Sequence, residues 1–280
     1  MSIKFNILFR ACDKVEFSHK SKRPFNLNKK EVIKIAFNSL FNSLENFDAR
    51  FIIIGDDLSN EVVNFFKCFK NTHVFNEKLG SASASLARQI EIGLTIPQEE
   101  WIYFCEDDYL HKPECFDYIS EFIENRTHYL KTSGKKKNFW NRLVGDLSKA
   151  DLIIHPPDYP DRYLPYWKRP SYVFISKYCH WRQITNTTHT FLMSSETLHK
   201  FKDSIIASSH GPSDSVLSQK VYGKFFFQRK AICISPIPGL SCHLHESVLT
   251  PIIDWKELAD ENIKLMKNNS IWNDQPFSEI

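Results

Sequence analysis

The sequence predicts an α/β fold in which a mixed, mostly parallel sheet is flanked by helices. Three observations carry this expectation. Apolar runs and amphipathic stretches alternate through the first half of the chain, as in repeated βα units. Two of the runs, Phe51-Ile52-Ile53-Ile54 and Trp101-Ile102-Tyr103-Phe104-Cys105, are apolar throughout, as strands covered on both faces must be. Both stop in carboxylates, Gly55-Asp56-Asp57 and Glu106-Asp107-Asp108, and a charged cluster at a strand end belongs in water.

Taken in order, residues 5–9 form a first short strand. Over 29–44, Val32, Ile33, Ala36, Phe37, Leu40 and Leu44 recur at helical spacing. Strand 51–54 follows, then a helix over 61–69, a strand over 72–75, and a helix after Gly80 with Leu86, Ile90 and Leu94 on one face. Strand 101–105 closes the regular half. Prolines crowd with aromatics over 156–181, which predicts loop broken by short extended pieces. A strand over 188–193 comes next. Helices are expected over 195–204, starting at a Ser cap with Glu196 in its first turn, and over 213–221, capped by Ser213. An amphipathic helix over 254–267 and a polar tail finish the chain, and no internal repeat is visible.

With 280 residues, 42% hydrophobic and 25% charged, the chain has the composition of a globular protein. Its formal net charge of +3 is too balanced for a dedicated nucleic-acid binder. The densest basic run, Lys135-Lys136-Lys137, reads as a solvated loop face, or as a contact for anionic lipid or diphosphate. The 7 cysteines are odd in number and contain no C-x-x-C pair, so reduced, mostly buried thiols are expected. The start lacks a signal-peptide pattern and no apolar run approaches the roughly 20 residues of a membrane span. A cytoplasmic enzyme without a transmembrane segment, with peripheral membrane contact as an option, is the expectation.

The chemistry concentrates at the strand ends. In an extended segment residues i and i+2 share a side, so Glu106 and Asp108 are placed to share a cation while Asp107 faces elsewhere. Hard oxygen ligands suit Mg²⁺ or Mn²⁺, completed by substrate phosphates. The same triplet also reads as a solvated turn or helix cap. In Asp56-Asp57-Leu58-Ser59 a carboxylate is positioned to accept from a uracil or guanine N–H or a ribose hydroxyl, or to cap the next helix, and the two jobs are compatible. Arg10 and Asp13 lie at the equivalent end of the first strand, as base or phosphate contacts or as a surface ion pair. In open α/β sheets ligands bind beyond the carboxyl ends of the strands, so these clusters are expected to line one crevice.

This ordered series resembles the GT-A fold glycosyltransferases, especially the family 2 type. In that family the second strand ends in Asp-Asp-x-Ser, and an Asn-x-x-x-Gly stretch leads to an Ala-Arg-Asn helix. Asp56-Asp57-Leu58-Ser59, Asn76-Glu77-Lys78-Leu79-Gly80 and Ala87-Arg88-Gln89 are similar, with a longer gap before Arg88 and Gln in place of Asn. The family's Asp-x-Asp metal motif matches Glu106-Asp107-Asp108 with Glu at the first position, which favours Asp108 as the ligand. The resemblance covers about the first 120 residues. Beyond them it implies that Asp214, in Ser213-Asp214 at a helix start, is the general base, the alternative being a first-turn residue favoured by the helix dipole. It also implies that a late His completes the metal shell, which points to His243 and His245 in Ser241-Cys242-His243-Leu244-His245. His155, His189 and His210 read as structural, although His210 is near enough to Asp214 in sequence to touch an acceptor.

The resemblance thus implies a metal-dependent glycosyltransferase, inverting by direct displacement. Arg10, Asp13, Asp56, Asp57, Arg88 and Asp107 would hold the nucleotide diphosphate. Glu106, Asp108, His243 and His245 would hold Mn²⁺ or Mg²⁺, and Asp214 would deprotonate the acceptor. The donor would be a UDP-, GDP- or dTDP-linked sugar and the acceptor a glycan or other hydroxyl. Aromatics of the 156–181 stretch would stack on a sugar, or instead form a subdomain core. Residues 1–125 would form the nucleotide-sugar-binding half, 126–254 the acceptor-binding and catalytic half, and 255–280 a C-terminal helix and tail. The absence of a Gln-x-x-Arg-Trp pattern argues against a processive synthase. Two alternatives remain: a nucleotidyltransferase of similar fold, although Arg10-Ala11-Cys12-Asp13 lacks the glycines such an enzyme uses, and a non-catalytic carbohydrate-binding protein.

Overall fold

A computed structural model describes residues 3–14, 23–131, 147–163, 171–210, 213–222, 231–250 and 252–268, without the side chains of 213–215. The Lys135-Lys136-Lys137 run, Pro165, Tyr166, Trp167, Pro170 and the tail beyond 268 lie outside the described residues.

The apolar runs of the first half become β1 (Lys4–Ala11), β2 (Asp48–Asp56), β3 (Thr72–Glu77) and β4 (Trp101–Glu106). Between them lie α1 (Lys29–Asn42), α2 (Asn60–Lys67) and α3 (Ala82–Gly93). Next come β5 (Tyr109–His111), α4 (Cys115–Tyr129), β6 (Asp151–Ile154), β7 (Val173–Ile175), β8 (His180–Ile184) and β9 (Phe191–Ser194). The chain ends with α5 (Ser195–Ser208), α6 (Ser213–Lys220), β10 (Ala231–Ile237), β11 (Ser241–His243) and α7 (Trp255–Asn268).

One sheet takes in nine of the strands in the order β3-β2-β1-β4-β9-β6-β10-β8-β7, and β11 pairs with β5 in a separate ribbon. The first four are mutually parallel. β9 is inserted antiparallel between β4 and β6, so β4 and β6 point the same way. β10 runs parallel to β6, and β8 and β7 return antiparallel. The architecture is therefore α/β and mixed, and its sheet is continuous across residue 125.

Period-2 alternation divides the strand side chains between two cores. Phe5, Ile7, Phe9, Phe51, Ile53 and Tyr103 face α1, α2, α4 and α7. Leu8, Ile52, Ile54, Ile102 and Phe104 face α3, α5 and α6. Much of the phenylalanine content packs on the first face, where the Phe37 ring meets Phe66 and Phe69 edge-on at 4.9 Å. Such pairs add about 0.5–1.5 kcal/mol each beyond area burial.

Helix starts follow from capping, with two corrections. α1 opens on a reciprocal Asn28–Glu31 capping box. The cap of α5 is Ser194 rather than Ser195: the Ser194 hydroxyl accepts from the Thr197 N–H at 3.2 Å, while the Ser195 hydroxyl donates to the Ile96 carbonyl. Ser213 stands inside α6 rather than before it. The strand expected from 188 begins only at Phe191, because the preceding threonines are engaged in side-chain bonds to other elements.

Candidate functional site

β1, β2, β4, β6 and β10 all end at one edge of the sheet, and the reversed β9 begins there. Arg10, Asp56, Glu106 and His155 stand at or just past those ends, with His189 and Thr190 entering β9 beside them. Residues far apart in the chain meet through the small ribbon. β11 pairs with β5 so that His243 stands opposite Tyr109, and the Leu244 N–H donates to the Asp108 carbonyl at 2.7 Å. That pairing brings the late histidine to the acidic turn.

Each carboxylate of the turn has a cationic partner. Arg10 pairs with Glu106, its direct neighbour in the β1–β4 register, and Thr190 Oγ1 accepts from the Glu106 N–H at 3.2 Å. Lys29, the first residue of α1, donates to Asp107 at 2.6 Å, and the Cys12 N–H donates to the other Asp107 oxygen at 3.0 Å. His243 Nε2 lies 3.1 Å from Asp108 Oδ2. The second oxygen, Asp108 Oδ1, is buried and has no hydrogen-bond partner among the described residues.

Charge decides the protonation states here. Burial works against an ionised Asp108, but the His243 ring, followed by Lys29 and Arg10, holds its carboxyl well below the usual carboxylate range. Burial likewise opposes a charged His243, and Asp108 and then Glu106 raise its pKa above the ordinary imidazole value. Burial pushes the Asp107 carboxyl up, against the pull of Lys29.

The ring of His243 is held on several sides. It stacks on Tyr109, centroids 4.8 Å apart and 14° between planes, and its Nδ1 is 3.4 Å from the Tyr159 hydroxyl. Tyr159 meets the Tyr109 hydroxyl, which also reaches Thr188 Oγ1 at 2.8 Å. His155 is wholly buried, stacks on Tyr159, and directs Nδ1 at the Thr190 carbonyl at 2.6 Å. His245 lies next to His243, ring centroids 5.6 Å apart, and its Nδ1 meets Ser247. His189 sits beside Glu106 and Arg10, and burial, with Glu106 and Arg10 pulling in opposite directions, brings its pKa down to about 4.

At the β1 and β2 ends the predicted residues have structural engagements. Asp13 accepts from the Ser59 N–H at 3.2 Å and from the Ser59 hydroxyl, so the start of α2 is capped from another loop and not by its own serine. Asp56 Oδ1 accepts from the Leu79 and Gly80 N–H groups at 2.7 and 2.9 Å, holding the loop after β3. Asp57 has a positive φ of 52° and pairs with Lys14 at the surface. Arg88 on α3 bridges Glu77, the last residue of β3, and Glu91 of its own helix. Gln89 is fully buried and donates to the Leu8 carbonyl, which ties α3 to β1.

Asp214 lies in the first turn of α6, and its side chain is outside the described set. His210 is exposed just before that helix. Of the 156–181 aromatics, Tyr159 enters the site, whereas Tyr163 bonds Asp158, Tyr172 and Phe174 pack on the core and Tyr178 stacks on Tyr118. All the cysteines are free. Among the described residues no helix is long and apolar enough to cross a membrane.

Sequence reasoning did not single out Lys29, Tyr109, Thr188 or Thr190. The two threonines flanking His189 were the available signal, since alternating polar residues ahead of a buried strand need partners. Among the described residues no group of three His, Cys, Asp or Glu side chains is arranged to hold a metal ion. The pair best suited to contribute to one is Asp108 with His243, through the Oδ1 left unpartnered among the described residues and, once it gives up its proton, Nε2.

No protein-family profile matches the sequence, and no curated protein does. Solved structures show likeness at low identity. S. aureus TarS 1–349 is 15% identical over 71% of this chain and 49% of its own, with a TM-score of 0.40. The galactosyltransferase LgtC, in complex with donor and acceptor sugar analogues, is 11% identical over 79% of this chain and 70% of its own, at 0.39. A 4-diphosphocytidyl-2C-methyl-D-erythritol synthase is 10% identical over 95% of this chain and 99% of its own, at 0.42. The chain thus spans about half the length of the TarS fragment it matches. At such identities and scores, these likenesses say nothing about this chain's chemistry.

Proposed function

We propose that this chain transfers a sugar from a nucleotide diphosphate donor to an acceptor hydroxyl. The observation that carries the reading is Asp108 at the carboxyl edge of the sheet, met by His243 at 3.1 Å and keeping one buried oxygen without a partner among the described residues. A carboxylate and an imidazole held side by side suit Mn²⁺ or Mg²⁺ with few protein ligands, the rest being diphosphate oxygens and water. When bound, the ion would neutralise the charge of the departing diphosphate.

Under this proposal the other residues have these roles. Arg10 and Lys29 add positive charge beside the acidic turn. The exposed Lys14–Asp57 pair lies at the end of β2, about 10 Å from the end of β4 across two strand spacings, where a nucleoside would extend from its diphosphate. Asp214 would take the proton of the attacking hydroxyl, which forms its bond to the anomeric carbon as the bond to the diphosphate breaks. Inversion follows from that single displacement. The sequence contains no glycine before Gly55, so the glycine-rich phosphate loop on which a nucleotidyltransferase depends is lacking after β1.

Calorimetric titration with UDP-, GDP- and dTDP-sugars, with and without Mn²⁺, tests the proposal. Metal-enhanced binding of one donor is expected, and Asp108→Asn removes the enhancement. Asp214→Asn keeps donor affinity and lowers turnover by about 100-fold or more. Binding that ignores the metal counts against the ion, and release of pyrophosphate from a nucleoside triphosphate and a sugar phosphate would transfer the reading to nucleotidyl chemistry.

A further inference from the structure

His189 combines a rigid mount with a buried ring nitrogen, Nε2, that has no hydrogen-bond partner among the described residues. On one side, Thr188 Oγ1 is 2.8 Å from the Tyr109 hydroxyl. On the other, Thr190 is fixed three times: its hydroxyl accepts from the Glu106 N–H at 3.2 Å and donates to Glu106 Oε2 at 3.4 Å, and its carbonyl accepts from His155 at 2.6 Å. The peptide between two anchored threonines has little freedom. It projects the imidazole beside the Arg10–Glu106 pair, at the edge where the parallel strands end.

A structural histidine ordinarily finds a hydrogen bond, because leaving a buried ring nitrogen unmatched costs free energy. His189 Nε2 is buried and has no partner among the described residues, while the residue as a whole stays partly accessible. A neutral imidazole offers one N–H donor and one acceptor lone pair. That pairing matches a sugar hydroxyl, which donates and accepts at once, and offers no positive charge to a phosphate.

We propose that His189 hydrogen-bonds a hydroxyl of the donor's sugar ring and so helps set which sugar is taken. The inference rests on the nucleotide-sugar reading of the crevice, and its test separates the two. Wild-type protein is titrated, with Mn²⁺ present, with UDP, GDP and dTDP and with their glucose, galactose, mannose and N-acetylglucosamine conjugates. If none of these binds, the nucleotide-sugar reading fails, and the His189 assignment with it.

When a conjugate binds, His189→Ala is expected to weaken it about tenfold while the matching free diphosphate stays within about twofold, and His189→Gln recovers part of the loss. Equal changes for conjugate and free diphosphate, or no change for either, overturn the assignment. Should the alanine variant not fold, the imidazole ¹⁵N resonances of His189 in the wild-type chain decide: a shift on adding the conjugate but not the free diphosphate supports the contact, and identical spectra overturn it.

Discussion

Lys29 Nζ and Asp107 Oδ1 lie 2.6 Å apart, which ties the first turn of α1 to the acidic turn after β4. Both side chains are largely buried, so removing one strands the other. Lys29→Met is expected to lower stability by about 3 kcal/mol in urea unfolding at pH 8. Burial already pushes the Asp107 carboxyl up, and without Lys29 it takes a proton more readily. The deficit therefore shrinks towards pH 5. A loss that does not vary with pH would mean that the charge of Asp107 is not the cause.

The Asp108–His243 pair predicts a stability window. Asp108 titrates below its ordinary value in the fold, so its contribution is present above about pH 4 and disappears as the pH falls further. His243 titrates above its ordinary value, so its contribution is complete below about pH 6.5 and disappears as the pH rises through the folded value. Measured in chelator, the stability gap between wild type and His243→Gln is expected to be widest near pH 5 and to narrow above pH 7. A gap that widens with alkalinity would contradict the pairing.

Asp13, just past β1, caps α2 through the Ser59 N–H. Asp13→Ala is expected to cost about 1 kcal/mol of unfolding free energy without any nucleotide present, and Asp13→Asn less. Unchanged stability in both variants would return Asp13 to a purely ligand-facing role.

Gly55, next to last in β2, has no room for a side chain. A Cβ there would lie 2.6 Å from Leu58 Cδ1 and 2.9 Å from Asn76 Oδ1, and that oxygen is already held by the Leu58 N–H at 2.8 Å. Gly55→Ala is expected to destabilise by about 1–3 kcal/mol through overpacking, read as a lower urea midpoint with unchanged slope.

The first half of the fold was legible because its strands are apolar throughout and its helices carry clear periodic faces. α4 was equally legible and went unread: Cys115, Phe116, Ile119, Phe122 and Ile123 are buried at helical spacing directly after the acidic turn. β6 and β10 were not, since short apolar runs fit strand and buried helix alike. For the site, the strand-end positions of Arg10, Asp57 and Asp108 followed from pattern and topology. Their partners did not. Lys29 is 78 residues from Asp107 and His243 is 135 from Asp108, and no local spacing encodes a contact made by sheet order and a two-strand ribbon.

The insertion of β9 between β4 and β6 also bears on where the chain can be cut. β4 receives its second neighbour from residues 191–194, long after its own synthesis. A fragment ending at residue 125 would keep β1 to β4 and leave the flank of Ile102, Tyr103 and Phe104 as a bare, sticky border on which further copies could stack. The acid-rich half is thus no portable cassette: one of its borders is covered only by a strand that the ribosome delivers well after it.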